Sequence, residues 1–198
     1  MNRVTVQPGI ASRRRFLGGV LLAGLGLPSV STLARTRRVP LLTVVPPAYR
    51  DAAVAARIPP RLLYGIALQE SAMAFGDHVL PWLWTLNIRG TPHRYATYKD
   101  AVLALTQTVT HQKIRNVDCG PMQVNWGYHA EQLLTFERAL DAHINLAVGA
   151  TILAGHFRAT NDWHKATGRY HNPGDTVRAR RYADGVFARV AQLTEAAA

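Results

Sequence analysis

The chain of 198 residues contains one cysteine, Cys119, so no internal disulfide can form and the fold must rest on buried apolar surface. Glutamate is almost as scarce, with only Glu70, Glu131, Glu137 and Glu195. No His-Glu-x-x-His pair is present, no cysteine or histidine spacing of a zinc finger, no arginine-rich helix and no nucleophile elbow around Ser71. These absences argue against a metal site, a zinc-finger DNA-binding protein and a serine hydrolase. No internal repeat or low-complexity tract is evident in the body of the chain.

What is present is a composition of 48% hydrophobic and 18% charged residues, sufficient for one domain with an ordinary core. The formal net charge is +11; Arg3, Arg13, Arg14 and Arg15 contribute +4 within an acid-free N-terminus, which leaves +7 from residue 35 onward. This balance suits nucleic acid, acidic membrane surfaces or anionic wall polymers, and a merely solubilising basic surface is the plain alternative.

The stretch SRRRFL at 12–17 precedes an apolar run rich in glycine and leucine, with no charge between Phe16 and Ala34. A positive segment followed by an apolar segment too short to span a bilayer comfortably predicts an export signal over residues 1–34. The arginine pair followed by Phe16 and Leu17 is similar to a twin-arginine signal; the general secretory route and an uncleaved anchor are the alternatives. Cleavage is expected near residues 32–35, and the expected location is the periplasm.

Residues 35–46 read as an extended lead-in, and residues 47–198 as a single domain. Pro46 and Pro47 predict a helix start running to about Arg57, and Pro59 and Pro60 open a second helix that ends at Glu70 and Ser71. The stretch 85–97 alternates around a Gly-Thr-Pro turn and predicts a hairpin. Thr97 and Asp100 stand at capping-box spacing before the apolar series Val102, Leu105 and Val109. The stretch RNVDCGPMQVNWGYH reads as a loop. After it, residues 140–160 predict a long central helix with Leu146, Gly149, Ile152, Leu153 and Phe157 facing inward. A last helix carries the stripe Tyr182, Val186, Phe187, Val190 and Leu193. The fold class expected is therefore α+β, predominantly helical, with at most a small β element.

Within the second helix, Leu63, Ile66 and Ala67 define an apolar face, and the next position of that face is Glu70. A carboxyl among such neighbours is poorly solvated, which raises its pKa above the usual value of roughly 4.3 and equips it to donate a proton near neutral pH. A buried glutamate paired with an arginine, or capping a loop, is the competing reading. In CGPMQVN, residues 119–125, Gln123 and Asn125 alternate with apolar neighbours and offer amides to hydroxyl or acetamido groups, and Met122 offers an apolar wall.

The stretches ALQES at 67–71, GPMQVN at 120–125, NLAVGATIL at 145–153 and ATGRYHNPG at 166–174 occur in this order. Together they resemble lytic transglycosylases of the soluble-transglycosylase and lysozyme-like superfamily, over roughly residues 48–190. The insertion PWLWTLNIRG resembles the branch associated with conjugation and secretion systems. The resemblance implies a lysozyme-like fold that cleaves the bond between N-acetylmuramic acid and N-acetylglucosamine, with Glu70 as acid and base and a 1,6-anhydro product. It further implies that Ser71 supports the site, Met122 and Gln123 line the sugar groove, and Asn125 holds the loop. Tyr170 matches a tyrosine whose hydroxyl faces the catalytic carboxyl, and Asn145 and Gly149 match packing positions.

The chain departs from the pattern in the roughly fifty residues between Glu70 and the later loop, in Pro121 where leucine is common, and in HNPG after Tyr170. No second acid lies near either motif in sequence, unless Asp77 or Asp118 folds in. Trp82, Trp84, Trp126 and Trp163 offer faces for sugar rings, with core roles as the alternative. The implied partners are peptidoglycan strands and the components of a trans-envelope apparatus, with no cofactor, no nucleic acid and a monomeric state. A hydrolytic muramidase and a non-catalytic wall-binding assembly factor are the competing functions.

Overall fold

The computed structural model describes residues 44–193 apart from residue 77. The expected export signal, most of the lead-in and Asp77 lie outside the described residues. Helices account for 61% of the fold and are joined by small antiparallel sheets, so the architecture is α+β and mostly helical.

Two proline-initiated helices open the described chain. Helix α1 spans Pro47–Ala55 and buries Tyr49 and Ala53; it stops two residues short of Arg57, which adopts a left-handed φ of 57°. Helix α2 spans Pro60–Ser71 after Pro59, whose fixed φ suits an entry to a helix. Every residue from Leu62 to Leu68 is buried, so α2 is enclosed around its circumference. Gly65 permits this, because a Cβ there would lie 2.6 Å from Val190 Cγ2 on the final helix.

The chain then turns to strands where the sequence only breaks its helical period. β1 (Ala72–Phe75) pairs with β2 (His78–Pro81) in a two-stranded hairpin. β3 (Thr85–Ile88) and β4 (Thr91–Arg94) form the expected hairpin, but its turn is Arg89-Gly90, both at positive φ, and Thr91 and Pro92 belong to β4. Two consecutive left-handed residues match the twist of flanking strands, and Gly90 takes the φ of 88° without steric cost.

Helix α3 spans Tyr98–Thr106, and the Thr97 side chain caps it by accepting from Asp100 N at 3.1 Å, as the spacing predicts. A π turn over Gln107–His111 follows. The stretch read as a loop contains β5 (Val117–Cys119) and β6 (Val124–Asn125), completing a four-stranded sheet of order β4-β3-β5-β6. These strands are too short for a periodic signal, and only the pairing of β5 with β3 and of β6 with β5 makes them strands.

Helices α4 (Trp126–Leu133), α5 (Phe136–Leu140) and α6 (Ala142–Thr160) are capped by Asn125, Thr135 and Asp141. The long helix expected over 140–160 is α6, but it exposes Ala147 and Thr151, and the enclosed helix is α2. Of the inward set, Leu146, Gly149 and Leu153 are buried, whereas Ile152 and Phe157 are half-buried. Helix α7 (Trp163–His171), absent from the sequence reading, is capped by Asp162, and α8 (Thr176–Val190) by Asp175. Tyr182 and Val186 of α8 are buried. Among the described residues no helix is long and apolar enough to cross a membrane.

Candidate active site

Glu70 occupies the last turn of α2, at the point where the helix gives way to β1. Its side chain is half-buried, and its carboxyl is surrounded by protein groups. Tyr182 of α8 donates its hydroxyl hydrogen to Glu70 Oε1 at 2.5 Å. Burial pushes the Glu70 carboxyl up to about 7; the Tyr182 hydrogen bond works against the rise, and the negative charge of Asp118 adds to it. Glu70 forms no ion pair among the described residues. Two arginines reach this end of α2 and bond elsewhere: Arg189 donates from Nε to Gln69 Oε1 at 2.7 Å, and Arg94 from Nη2 to Ala72 O at 3.2 Å.

Ser71 fastens the end of α2 to the loop that follows β5: its Oγ lies 2.8 Å from Pro121 O and 3.0 Å from Ala67 O. Trp82 N donates to Ser71 O at 2.8 Å, which ties the tryptophan-bearing segment to the same residue. Gly120 is required there for two reasons. Its φ is 71°, and a Cβ would lie 2.6 Å from the Asn145 amide carbon. The loop closes on itself through Gln123, whose Nε2 donates to Gly120 O at 2.8 Å and whose own φ is 48°.

Two expected roles are corrected by this geometry. Met122 has no exposed surface, and a Cβ on Gly149 would lie 2.8 Å from Met122 Cβ, so this side chain is core and not a groove wall. Its backbone carries the polar contacts instead: Met122 N donates to Asn145 Oδ1 at 2.9 Å, and Met122 O accepts from the Tyr170 hydroxyl at 2.7 Å. Tyr170 is therefore committed to the loop, and the tyrosine that meets the carboxyl is Tyr182. The reason is directional, since a hydroxyl has one hydrogen and Tyr170 spends it on a backbone carbonyl. Burial and the nearby charges of Glu70 and Asp118 push the Tyr170 hydroxyl well above its ordinary range.

Asn125 ties the loop to its surroundings. Its Nδ2 donates to Asp118 Oδ1 at 2.7 Å and to Asn116 Oδ1 at 2.8 Å, while its Oδ1 accepts from Tyr128 N at 3.3 Å and caps α4. Asn145 does more than pack: besides Met122 N it serves Cys119 O at 2.8 Å and Ala139 O at 2.9 Å, and it is fully buried.

Asp118 of β5 is opposite Asn87 of β3 and opposite Asn125 of β6. Directly paired residues of antiparallel strands project to one face, so these three form a polar row across the sheet. Among the described residues Asn87 Oδ1 is a buried acceptor with no hydrogen-bond partner. His171 ends α7 and lies flat on Tyr182, with ring centres 4.4 Å apart and planes at 3°. Its pKa is lowered chiefly by burial, with Asp118 opposing and Arg178 reinforcing the shift. Asn87 and Tyr182 escaped the sequence reading as site residues, whereas Asp118 entered it as a possible second acid and His171 only within the departing HNPG stretch. The one local signal was a tyrosine within an otherwise aliphatic and phenyl stripe on α8, since a buried hydroxyl requires a partner.

The tryptophans divide between lobe and core. Trp82 stacks on Phe75 at 5.2 Å with the planes inclined at 27°, is edge-on to Trp84 at 5.7 Å, and donates from Nε1 to Tyr95 O at 3.0 Å. Trp126 is core against Phe136, and Trp163 is stacked on Phe157. Among the described residues no three His, Cys, Asp or Glu side chains converge as a metal-binding group.

Chemically, the arrangement provides a carboxyl able to give and take a proton near pH 7 and a tyrosine hydroxyl that steadies its charged form, and the sheet carries a second carboxyl at Asp118. No protein-family model matches the chain, and neither a curated protein nor a solved structure matches it.

Proposed function

We propose that the chain is a peptidoglycan lytic transglycosylase. The observation that carries the proposal is Glu70: a carboxyl with no ion pair among the described residues, pushed up to about 7 by burial and bonded by Tyr182. The resemblance of ALQES, GPMQVN and ATGRYHNPG to that superfamily supplies the substrate class.

In this reading Glu70 donates its proton to the oxygen bridging N-acetylmuramic acid and N-acetylglucosamine, and the bond from that oxygen to the muramyl C1 breaks. The 2-acetamido group of the substrate stabilises the cation that develops, which removes the need for a protein nucleophile. The glucosaminyl residue leaves with a free 4-hydroxyl. Glu70, now a carboxylate steadied by Tyr182, takes the proton of the muramyl 6-hydroxyl as O6 bonds to C1. The product is a 1,6-anhydro sugar, Glu70 regains its proton, and no water is consumed.

Hydrolysis by a muramidase mechanism is the second reading, and the second carboxylate at Asp118 favours it, because a charged group beside the site could orient a water. Export to the periplasm, and local wall opening for a conjugation or secretion apparatus, belong to the same proposal. The lobe around Trp82 and the net charge of +7 from residue 35 onward suit an anionic polysaccharide.

The test is mass spectrometry of soluble products after purified sacculi are incubated with the full chain or with Glu70→Gln. Muropeptides with 1,6-anhydro ends from the parent protein alone are expected. Reducing ends would replace the transglycosylase with the hydrolase, and absence of products from both proteins would favour the assembly factor.

A further inference from the structure

The side of α8 that turns away from Glu70 borders a groove with no part in the chemistry proposed above. Tyr182 and Arg189 of α8 bond to Glu70 and Gln69, and Val186 lies against Gly65, so this face is spent on α2. Arg180 and Asp184 stand two positions to either side of Tyr182, about 200° around the helix. They line a groove of about 1080 Å3 between α7, α8 and the end of α6. Helices α7 and α8 meet at Gly168, where a Cβ would lie 2.8 Å from Ala179 O.

The groove is basic, and its acids are already engaged. Lys165, Arg169, Arg180 and Arg181 line it against Asp162 and Asp184. Asp162 Oδ1 caps α7, accepting from His164 N at 2.8 Å and from Lys165 N at 3.0 Å, and its Oδ2 is 3.8 Å from Lys165 Nζ. Asp184 Oδ1 is 2.8 Å from His164 Nε2. Arg169, Arg180 and Arg181 are exposed and enter no ion pair among the described residues. Three guanidinium forks are therefore offered to carboxylates or phosphates.

Shape and the remaining lining choose among anions. A membrane surface is too flat to enter a cleft between helices. Among the described residues no Trp, Tyr or Phe lines the groove, so the stacking that holds single-stranded nucleic acid is missing. Val177, 68% exposed, adds an apolar contact beside Ala159 and Ala179. From Thr176 to Asp184 helix α8 rises about 12 Å, the span of about four residues of extended chain.

We propose that this groove docks an acidic, extended segment of a partner protein, whose carboxylates pair with Arg169, Arg180 and Arg181 while an apolar side chain rests on Val177. The docking site is independent of the chemistry at Glu70, because α8 separates the two. Carboxylates on the peptides of a wall polymer hang from the glycan that Glu70 would cut, on the other side of that helix.

The experiment titrates the full chain into a fluorescein-labelled peptide of alternating glutamate and valine and follows anisotropy, at about 0.15 M salt to screen diffuse attraction. The parent protein is expected to bind, and Arg180→Gln with Arg181→Gln to weaken binding roughly tenfold or more. Lys99→Gln with Arg115→Gln removes the same charge from exposed positions elsewhere and is expected to weaken it less than about threefold. Absence of binding by the parent, equal losses in the two double variants, or equal affinity for the glutamine and valine peptide would overturn the proposal.

Should the arginine variant lose its near-ultraviolet circular dichroism, 15N NMR of the parent protein gives the answer. Peptide-induced amide shifts confined to residues 159–184 support the docking site, and shifts centred on α2 and β5 overturn it. Displacement of the peptide at lower concentration by a single-stranded oligonucleotide, by phosphatidylglycerol vesicles or by soluble wall fragments overturns the assignment to a protein partner. On sacculi the arginine variant is expected to release products at the parent rate. Peptide binding by a protein that leaves sacculi intact would refute the proposed enzyme alone, and products without peptide binding would refute the docking site alone.

Discussion

Asn145 and Glu70 both place a polar side chain within an apolar helix face, and the molecule treats them in opposite ways. Asn145 is fully buried and makes three hydrogen bonds that hold Cys119, Met122 and Ala139 to α6. Among the described residues Glu70 has one side-chain hydrogen bond and no ion pair, and its pKa is lifted to about 7. A buried polar group with all its partners fixes structure, whereas one kept short of partners retains its appetite for a proton. The two are linked, since Asn145 shapes the loop whose Pro121 carbonyl meets Ser71 beside Glu70.

The contrast is broken most severely at Glu70 itself. Glu70→Gln keeps the shape and the acceptor for Tyr182 but cannot donate a proton, so product release from sacculi is expected to fall by roughly a thousandfold or more. Retained turnover would detach Glu70 from the chemistry. The largest structural effect belongs to its counterpart: Asn145→Ala strands a buried N–H and two carbonyls, and urea denaturation should record a loss of roughly 3–5 kcal/mol.

A smaller effect of opposite sign sharpens the comparison. Because the folded pKa of Glu70 lies above its unfolded value, the folded state retains a proton that the unfolded chain releases between about pH 4.5 and 7. Unfolding free energy therefore declines as pH rises through that window and levels off above it. Glu70→Gln escapes the decline, so it should be more stable than the parent by roughly 3 kcal/mol at pH 8 and equal to it at pH 4. Equal stability at both pH values would mean that the carboxyl is not raised.

The smallest change is expected from Tyr182→Phe, which removes the donor that favours the carboxylate. Glu70 should then titrate above its parent value, the alkaline limb of activity should move to higher pH, and stability should fall by about 1 kcal/mol. A limb moving the other way would indicate that Tyr182 does not act as donor.

Much of the frame was legible because it is encoded locally. Proline pairs opened α1 and α2, Thr97 with Asp100 capped α3, and the apolar series outlined α6 and α8. The short strands β5 and β6 were not legible, since two or three residues carry no period. Helix α7 was hidden by its polar composition, with Trp163, His164, Lys165 and Arg169 obscuring the buried Ala166, Thr167 and Gly168. The enclosure of α2 was missed because it depends on Gly65 admitting α8, a contact across 125 residues.

The sequence by itself determined that Glu70 interrupts an apolar face, that a glycine-proline turn with two amides follows, and that helices dominate. Periodicity, caps and turn residues act within a few positions and can be read from the chain directly. Only the tertiary structure decided which hydroxyl meets Glu70, that Asp118 lies opposite Asn87 and Asn125 on the sheet, and that Met122 is core. The Tyr182 hydrogen bond joins residues 112 positions apart, and such a contact is set by where two helices cross, which no local pattern records.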